Sequence, residues 1–275
     1  MITYPHAKIN LGLHILRKRV DGFHDLETLF YPIDLRDILE IIPSPELPYP
    51  RLTVSGIEIE GHADNNLCLQ AYRLLHNDFP NLDPVSIHLH KQIPTQAGLG
   101  GGSADASFTL RSLNSIFKLG LSSEDLRSYA ARLGSDCSFF IDSNPSIGSG
   151  KGDILTPFPI SLKGYYLLVI VPSLKISTAE AYANTTPHIP NLSLQEILAH
   201  PIQDWKNLLN NDFESSLFPR YPILADIKSC CYKHGALYAS LSGSGSAMYG
   251  VFPSSPTLSP FRSLGNPQLY CEELS

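Results

Sequence analysis

The chain has 275 residues, enough for two modest domains with real hydrophobic cores. Its 43% hydrophobic and 17% charged residues exclude a disordered chain, and a net charge of −6 argues against nucleic acid as a partner. The longest apolar run, residues 165–171, is too short to span a bilayer, so no membrane partner is expected.

Met1-Ile2-Thr3-Tyr4-Pro5 has neither the basic start nor the apolar stretch of a signal peptide. Cys68, Cys137, Cys230, Cys231 and Cys271 show no metal-ligand or redox spacing. A cytoplasmic protein with reduced thiols is expected. From Ala7 to Ile15 apolar and polar residues alternate, which predicts a half-buried strand with Lys8 and Asn10 side by side on its polar face. Arg17-Lys18-Arg19 reads as a solvated hairpin end, Asp21-Gly22 marks the turn, and a second strand follows over 26–31. A third strand is expected at 38–42, then a proline-rich surface loop. Val85, Ile87 and Leu89 alternate with polar residues in a strand that ends at Ile93-Pro94.

Beyond Pro94 the period changes. Ala106, Leu110, Leu113 and Phe117 share one helix face, and Ser122 is the N-cap of a further helix that stops at Gly134. The second half reads as a buried strand ending at Val171, helices over 194–199, 205–217 and 223–233, and closing strands at 237–241 and 247–251. Strands grouped with helices, without regular alternation, predict an α+β fold with a boundary near 157–164, hence domains at 1–157 and 158–275.

The stretch Pro94-Thr95-Gln96-Ala97-Gly98-Leu99-Gly100-Gly101-Gly102-Ser103-Ala104 carries the chemistry. Four of its residues are glycines, and they lie where a strand ends and a long helix begins. Glycines let the backbone approach an anion, and a helix N-terminus adds unpaired N–H donors with the positive end of the dipole. An ordinary loop needs one or two glycines, so phosphate binding is the better reading. It is not a P-loop, because no Lys follows the glycines, and not a dinucleotide fingerprint, whose third Gly would fall at Ser103. A second glycine segment, Ser242-Gly243-Ser244-Gly245, lies between two strands, where a hairpin turn competes with a binding role. Gly148, Gly150 and Gly152 read as a structural turn.

Pro94-x-x-x-Gly98-Leu99-Gly100-Gly101-Gly102-Ser103 resembles the signature loop of the GHMP kinases. Ala7-Lys8-Ile9-Asn10, Asp21-Gly22-Phe23-His24, Gly134-Ser135-Asp136, Ser177-Thr178-Ala179, Asn211-Asp212-Phe213-Glu214 and Leu241-Ser242-Gly243-Ser244-Gly245 resemble further family segments in the family's order. Ala104, Phe23 and Cys137-Ser138 depart from the usual pattern, and none of these departures removes a catalytic group. The resemblance implies a two-domain GHMP kinase fold: an N-terminal ribosomal-protein-S5-like domain, a C-terminal ferredoxin-like domain, and an active site between them. It also implies ATP as phosphoryl donor, Mg²⁺ arriving with the nucleotide, and an acceptor alcohol linked to cytidine diphosphate.

Lys8 and Asp136 are then the catalytic residues, with Asp136 orienting or deprotonating the hydroxyl and Lys8 stabilising charge. Residues 94–104 hold the phosphates and Asn66 offers an amide to adenine. Asn10, Phe23, His24, Tyr182, Gly243 and Ser244 bind the acceptor, with Phe23 and Tyr182 stacking on cytosine and His24 bonding its edge. Two alternatives stay open: the same chemistry on a smaller alcohol such as homoserine, and a GHMP-fold protein that binds ligand without catalysis.

Overall fold

The computed structural model describes residues 1–59 and 61–274. In chain order the elements of the first half are β1 (Ile2–Thr3), β2 (His6–Lys18), β3 (His24–Arg36), β4 (Ile38–Pro43), β5 (Arg51–Gly56), α1 (Leu67–Asp78), β6 (Val85–Lys91), α2 (Gly101–Phe117), α3 (Ser123–Leu133) and α4 (Phe139–Asp142). The second half has β7 (Ser146–Ser149), β8 (Ile154–Pro157), β9 (Tyr166–Val171), α5 (Thr178–Ala183), α6 (Leu194–Leu198), α7 (Ile202–Leu208), α8 (Phe213–Leu217), α9 (Pro222–Lys233), β10 (Tyr238–Leu241), β11 (Met248–Phe252), α10 (Ser259–Arg262) and β12 (Gln268–Glu273). The residues gather into two compact units. The first comprises Met1–Lys8, Asp34–Thr95 and Gly100–Asn144; the second comprises Ile9–Ile33, Gln96–Leu99 and the chain from Pro145 onward. The sequence domains expected at 1–157 and 158–275 are a different division and stand as a proposal.

In the first unit a sheet of order β1-β4-β6-β5 pairs Ile41 with Ile87 across an antiparallel ladder and Leu52 with Ile87 across a parallel one. Helices bury their apolar stripes against one face of it. Leu69, Tyr72 and Leu75 of α1 and Ala106, Leu110 and Leu113 of α2 join Leu39, Ile41, Ile87 and Leu89 in one core. Each such side chain contributes about 1.5–3 kcal/mol by leaving water. Ser122 and Asp125 close a capping box on α3, which satisfies two N–H groups of its first turn.

The second unit holds the sheet β10-β11-β9-β12 and most of the sheet β2-β3-β7-β8. Its core combines Leu168 and Ile170 of β9, Met248 of β11, and Leu224 and Ile227 of α9 with Phe213 and Leu217.

Two expectations are corrected. β2 is buried on both faces, not half-buried: Lys8 and Asn10 are each 2% exposed, because their polar atoms meet partners inside the protein. The single helix expected over 205–217 is two, α7 and α8. Between them the Leu13 N–H donates to Asn210 O and the Asp212 N–H to Leu13 O, so that backbone pairs with β2 and cannot continue a helix. The proline-rich stretch over 44–50 is a loop as expected, and β5, which no sequence pattern marked, follows it and runs parallel to β6. The chain after Val251 adds β12, an edge strand on β9.

Candidate active site

Lys8 lies in the first unit, near the start of β2, with Nζ 3.2 Å from Asp136 Oδ2. The lysine side chain is 3% exposed and the carboxylate 33%, so the pair is sealed on one side and open on the other. Local structure fixes the aspartate. Gly134 ends α3, the Cys137 N–H turns back to Gly134 O, and the Phe139 N–H donates to Asp136 O at the entry to α4. Ser107 of α2 donates to Cys137 O at 2.7 Å and so ties that turn to the glycine-led helix. Ser107 was not among the sequence candidates, and its only local signal is a hydroxyl on the inner face of α2. A half-open carboxylate can accept a hydroxyl hydrogen, and the ammonium beside it can face negative charge developing nearby.

The glycine loop leads to the same place. Gly100, the N-cap of α2, sits at φ +73° and has no side chain with which to cap the helix. A Cβ there would lie 2.7 Å from Phe140 Cζ and 3.1 Å from Lys8 Cγ, so only glycine lets the loop lie against Lys8. The first-turn N–H groups of Gly101, Gly102 and Ser103 precede the intrahelical bonding pattern and need an outside acceptor. Pro94, Ala97, Leu99, Gly101 and Ala104 are buried. Thr95, Gln96, Gly98, Gly100, Gly102 and Ser103 keep surface that a ligand can reach. Ala104 donates its N–H to Gly100 O, and its burial leaves no role there for a second loop hydroxyl.

In the second unit the two glycine segments meet. Ser242 Oγ donates to Gly98 O at 2.9 Å and the Ala247 N–H to Ala97 O at 3.0 Å. A Cβ on Gly98 would be 2.0 Å from Ser242 O, and one on Gly243 3.2 Å from Asn10 Oδ1. Asn10 Nδ2 donates to Thr28 Oγ1, and Tyr249 Oη donates to the Asn10 carbonyl. Asn211 Nδ2 donates to both Leu241 O and Gly243 O at 2.9 Å. It holds the second glycine segment in shape, a role the sequence reading did not assign. Ser244 Oγ lies 3.2 Å from Thr178 Oγ1 at the start of α5.

His24 stacks on Tyr182, with centroids 4.9 Å apart and planes at 24°. Burial, helped by the Lys18 charge, holds its imidazole below the ordinary value, so the ring is neutral near pH 7. Tyr182 thus carries His24 on its face and Phe213 edge-on at 4.9 Å, whereas Phe23 is 56% exposed with Lys151 Nζ 5.0 Å from its ring centroid. Asn66 caps α1 through Oδ1, which accepts from the Cys68 N–H at 2.9 Å. It also lines a cavity of about 440 Å³ with Leu52, Val54, Ile57 and Ile59. Among the described residues no three His, Cys, Asp or Glu side chains converge to hold a metal, and no helix is long and apolar enough to cross a membrane.

Known proteins resemble this chain in sequence and fold. The GHMP kinases N terminal domain matches residues 66–144 and the GHMP kinases C terminal domain matches 193–260. A 4-diphosphocytidyl-2-C-methyl-D-erythritol kinase from Bacteroides thetaiotaomicron is 52% identical over 259 residues, 94% of each chain. A protein of the same description from Cytophaga hutchinsonii is 46% identical over 257 residues, covering 93% of this chain and 94% of its own. Among solved structures, a 4-(cytidine 5'-diphospho)-2C-methyl-D-erythritol kinase superposes with a TM-score of 0.81 at 28% identity over 98% of both chains. Streptococcus pneumoniae phosphomevalonate kinase shares the fold at a TM-score of 0.70 and 14% identity, covering 99% of both chains. Similarity at that level across almost the whole length shows that the chain belongs to the 4-diphosphocytidyl-2-C-methyl-D-erythritol kinase family of the GHMP kinases.

Proposed function

We propose that this protein transfers the γ-phosphate of ATP to the 2-hydroxyl of 4-diphosphocytidyl-2-C-methyl-D-erythritol, a step of non-mevalonate isoprenoid precursor synthesis. The observation that carries the chemistry is the Lys8–Asp136 pair, 3.2 Å apart with the carboxylate accessible. Asp136 orients the acceptor hydroxyl and takes its proton as the O–P bond forms; ADP leaves with the bridging oxygen's electron pair. Lys8 holds the Asp136 carboxylate at 3.2 Å and faces the charge that develops on the transferred group. The first-turn N–H groups of α2, with Gly98 and Gly100 before them, cradle the nucleotide phosphates. Mg²⁺ is proposed to arrive as part of MgATP and to neutralise phosphate charge.

The cavity beside Asn66 suits a flat apolar base, with the Asn66 amide as the donor such a base would meet. The cytosine of the acceptor is assigned to the His24–Tyr182 surface, with Phe23 as a second aromatic face, and its phosphates to Gly243, Ser244 and Asn10. The five cysteines are free thiols, which supports a cytoplasmic setting. A coupled ADP-release assay across candidate alcohols tests the reading. The cytidine-linked alcohol is expected to be turned over far faster than homoserine or mevalonate, and free CDP to compete with it. Efficient turnover of homoserine with no binding of CDP would overturn the substrate assignment, and no ADP release with any alcohol would overturn catalysis.

A further inference from the structure

A second lysine–carboxylate group in the first unit touches none of the residues assigned to catalysis. Lys91, the last residue of β6, is 2% exposed, and its Nζ donates to Asp37 Oδ2 and, at 2.7 Å, to Asp105 Oδ2. Asp37 and Asp105 are 0% and 3% exposed. The cluster grips the glycine loop at both ends. On the incoming side, Asp37 Oδ1 accepts the N–H groups of Gln92 and Ile93 at 2.6 and 2.9 Å, directly before Pro94. On the outgoing side, Asp105 belongs to the second turn of α2. Gly101, the first residue of that helix, lies so close that a Cβ on it would be 3.2 Å from Lys91 Nζ and 2.8 Å from Ile93 Cγ2.

Buried ion clusters are poor sources of stability, since apolar side chains of similar volume often serve as well or better. What this one supplies is geometry: two chain segments held to one ammonium at hydrogen-bond distances. We infer that Lys91, Asp37 and Asp105 are positioning residues for the phosphoryl donor, setting the spacing between the start of the loop and the N-terminus of α2 and thereby the affinity for ATP. This rests on the reading that the first turn of α2 holds the nucleotide phosphates.

The charges make the device sensitive to pH. Two carboxylates face one ammonium, and Asp105 Oδ1 has no hydrogen-bond partner among the described residues. Burial raises the Asp105 carboxyl to about 7, with Lys91 opposing the shift and Asp37 adding to it. Burial works against the Lys91 charge, but the two carboxylates outweigh it and keep the ammonium above its ordinary range. The other titratable group facing Asp105 is the Cys68 thiol of α1, raised to about 12 by burial and therefore neutral. The neighbouring core contributions of β4, α3 and α4 are Leu39 and Ile41, Leu126 and Ala130, and Ile141, all uncharged. When Asp105 loses its proton, the cluster passes from neutral to one net negative charge beneath the helix end that receives phosphate.

The test measures kcat and the KM for MgATP between pH ~6 and ~8.5 in wild type, Asp105→Asn, Asp105→Ala and Gly102→Ala. ATP's own ionisation is common to all, so the ratio of wild-type to Asp105→Asn KM is the readout. It is expected to rise about threefold or more across this range, with kcat at saturation within about twofold. Folded Asp105 keeps its proton to higher pH than the unfolded chain, whose ordinary value is 3.8. The Asp105 contribution to stability therefore falls as pH rises from about 4 to about 7 and levels off above, and Asp105→Asn removes that contribution from the profile. Asp105→Ala should raise the KM for ATP about tenfold while kcat changes little, and the Asn variant should restore most of the loss. A flat KM ratio, or an Asp105→Ala enzyme that is less stable but unchanged in KM, would overturn the proposal. If Asp105→Ala does not fold, the pH profile of Asp105→Asn decides alone. Gly102→Ala separates the underlying reading, because a Cβ there meets nothing nearer than Leu67 Cδ1 at 3.8 Å. It should weaken ATP without loss of stability, and unchanged ATP affinity in it would sink the phosphate cradle and this proposal together.

Discussion

Two lysine–carboxylate groups of the first unit are built from the same chemistry and do different work. Lys8 faces one carboxylate, and that carboxylate is 33% exposed. Lys91 faces two, and neither exposes more than 4% of its side chain. A hydroxyl can reach Asp136, so in the proposed reaction its basicity and position would act directly on the reacting atom. No substrate atom can reach Asp37 or Asp105, so they act only through the backbone they hold. Exposure, not charge, separates a catalytic pair from a positioning cluster.

The contrast predicts opposite signatures for the two lysines. Lys91→Met leaves two carboxylates buried without their cation, and breaking a buried cluster in this way costs about 3–5 kcal/mol. In a protein of this size that corresponds to a fall in thermal midpoint on the order of 10 °C by calorimetry. A Lys91→Met protein as stable as wild type would erase the distinction. Lys8→Met should lower kcat by roughly a hundredfold or more, about 2.7 kcal/mol of transition-state stabilisation, while the melting temperature moves far less. Steady-state kinetics beside a thermal melt reads both.

A smaller effect sharpens the comparison from the second unit, where recognition and not charge is at stake. Tyr182→Ala and His24→Ala should each raise the KM for the cytidine-linked acceptor about tenfold, since stacking on a base is worth about 1–3 kcal/mol. The ATP KM should stay unchanged. Phe23→Ala should do less, because Phe23 is the more exposed ring and faces Lys151. An effect of Phe23→Ala larger than those of both others would put the cytosine on the wrong face.

What was legible in the sequence was local. The glycine loop before α2, the Ser122 cap and the apolar face of α2 are short-range patterns, and the structure shows each as read. The alternation of β2 is legible too, but alternation alone makes its polar face look like a solvent face. Lys8 and Asn10 are buried because their partners come from elsewhere in the chain. The Lys91 cluster was hidden for the same reason: Asp37 and Asp105 are 54 and 14 residues away, and each aspartate alone reads as an ordinary polar residue. Asn211 reaches Gly243 across 32 residues, and backbone pairing of its neighbours with Leu13 breaks what periodicity suggested was one helix. Periodicity reports which face is apolar; it does not report which polar group is waiting inside.

The central claim is that Asp136 acts on the hydroxyl and that the glycine loop and aromatic surface bind substrates without it. Single-turnover transfer from labelled ATP to the cytidine-linked alcohol, at saturation in both substrates, tests it in Asp136→Asn. The amide keeps the shape of the side chain but removes the charge that Lys8 faces and the capacity to take a proton. Transfer in Asp136→Asn is expected to slow by roughly a hundredfold or more, with both dissociation constants within about threefold of wild type. Transfer at near the wild-type rate in a folded Asp136→Asn enzyme would contradict it.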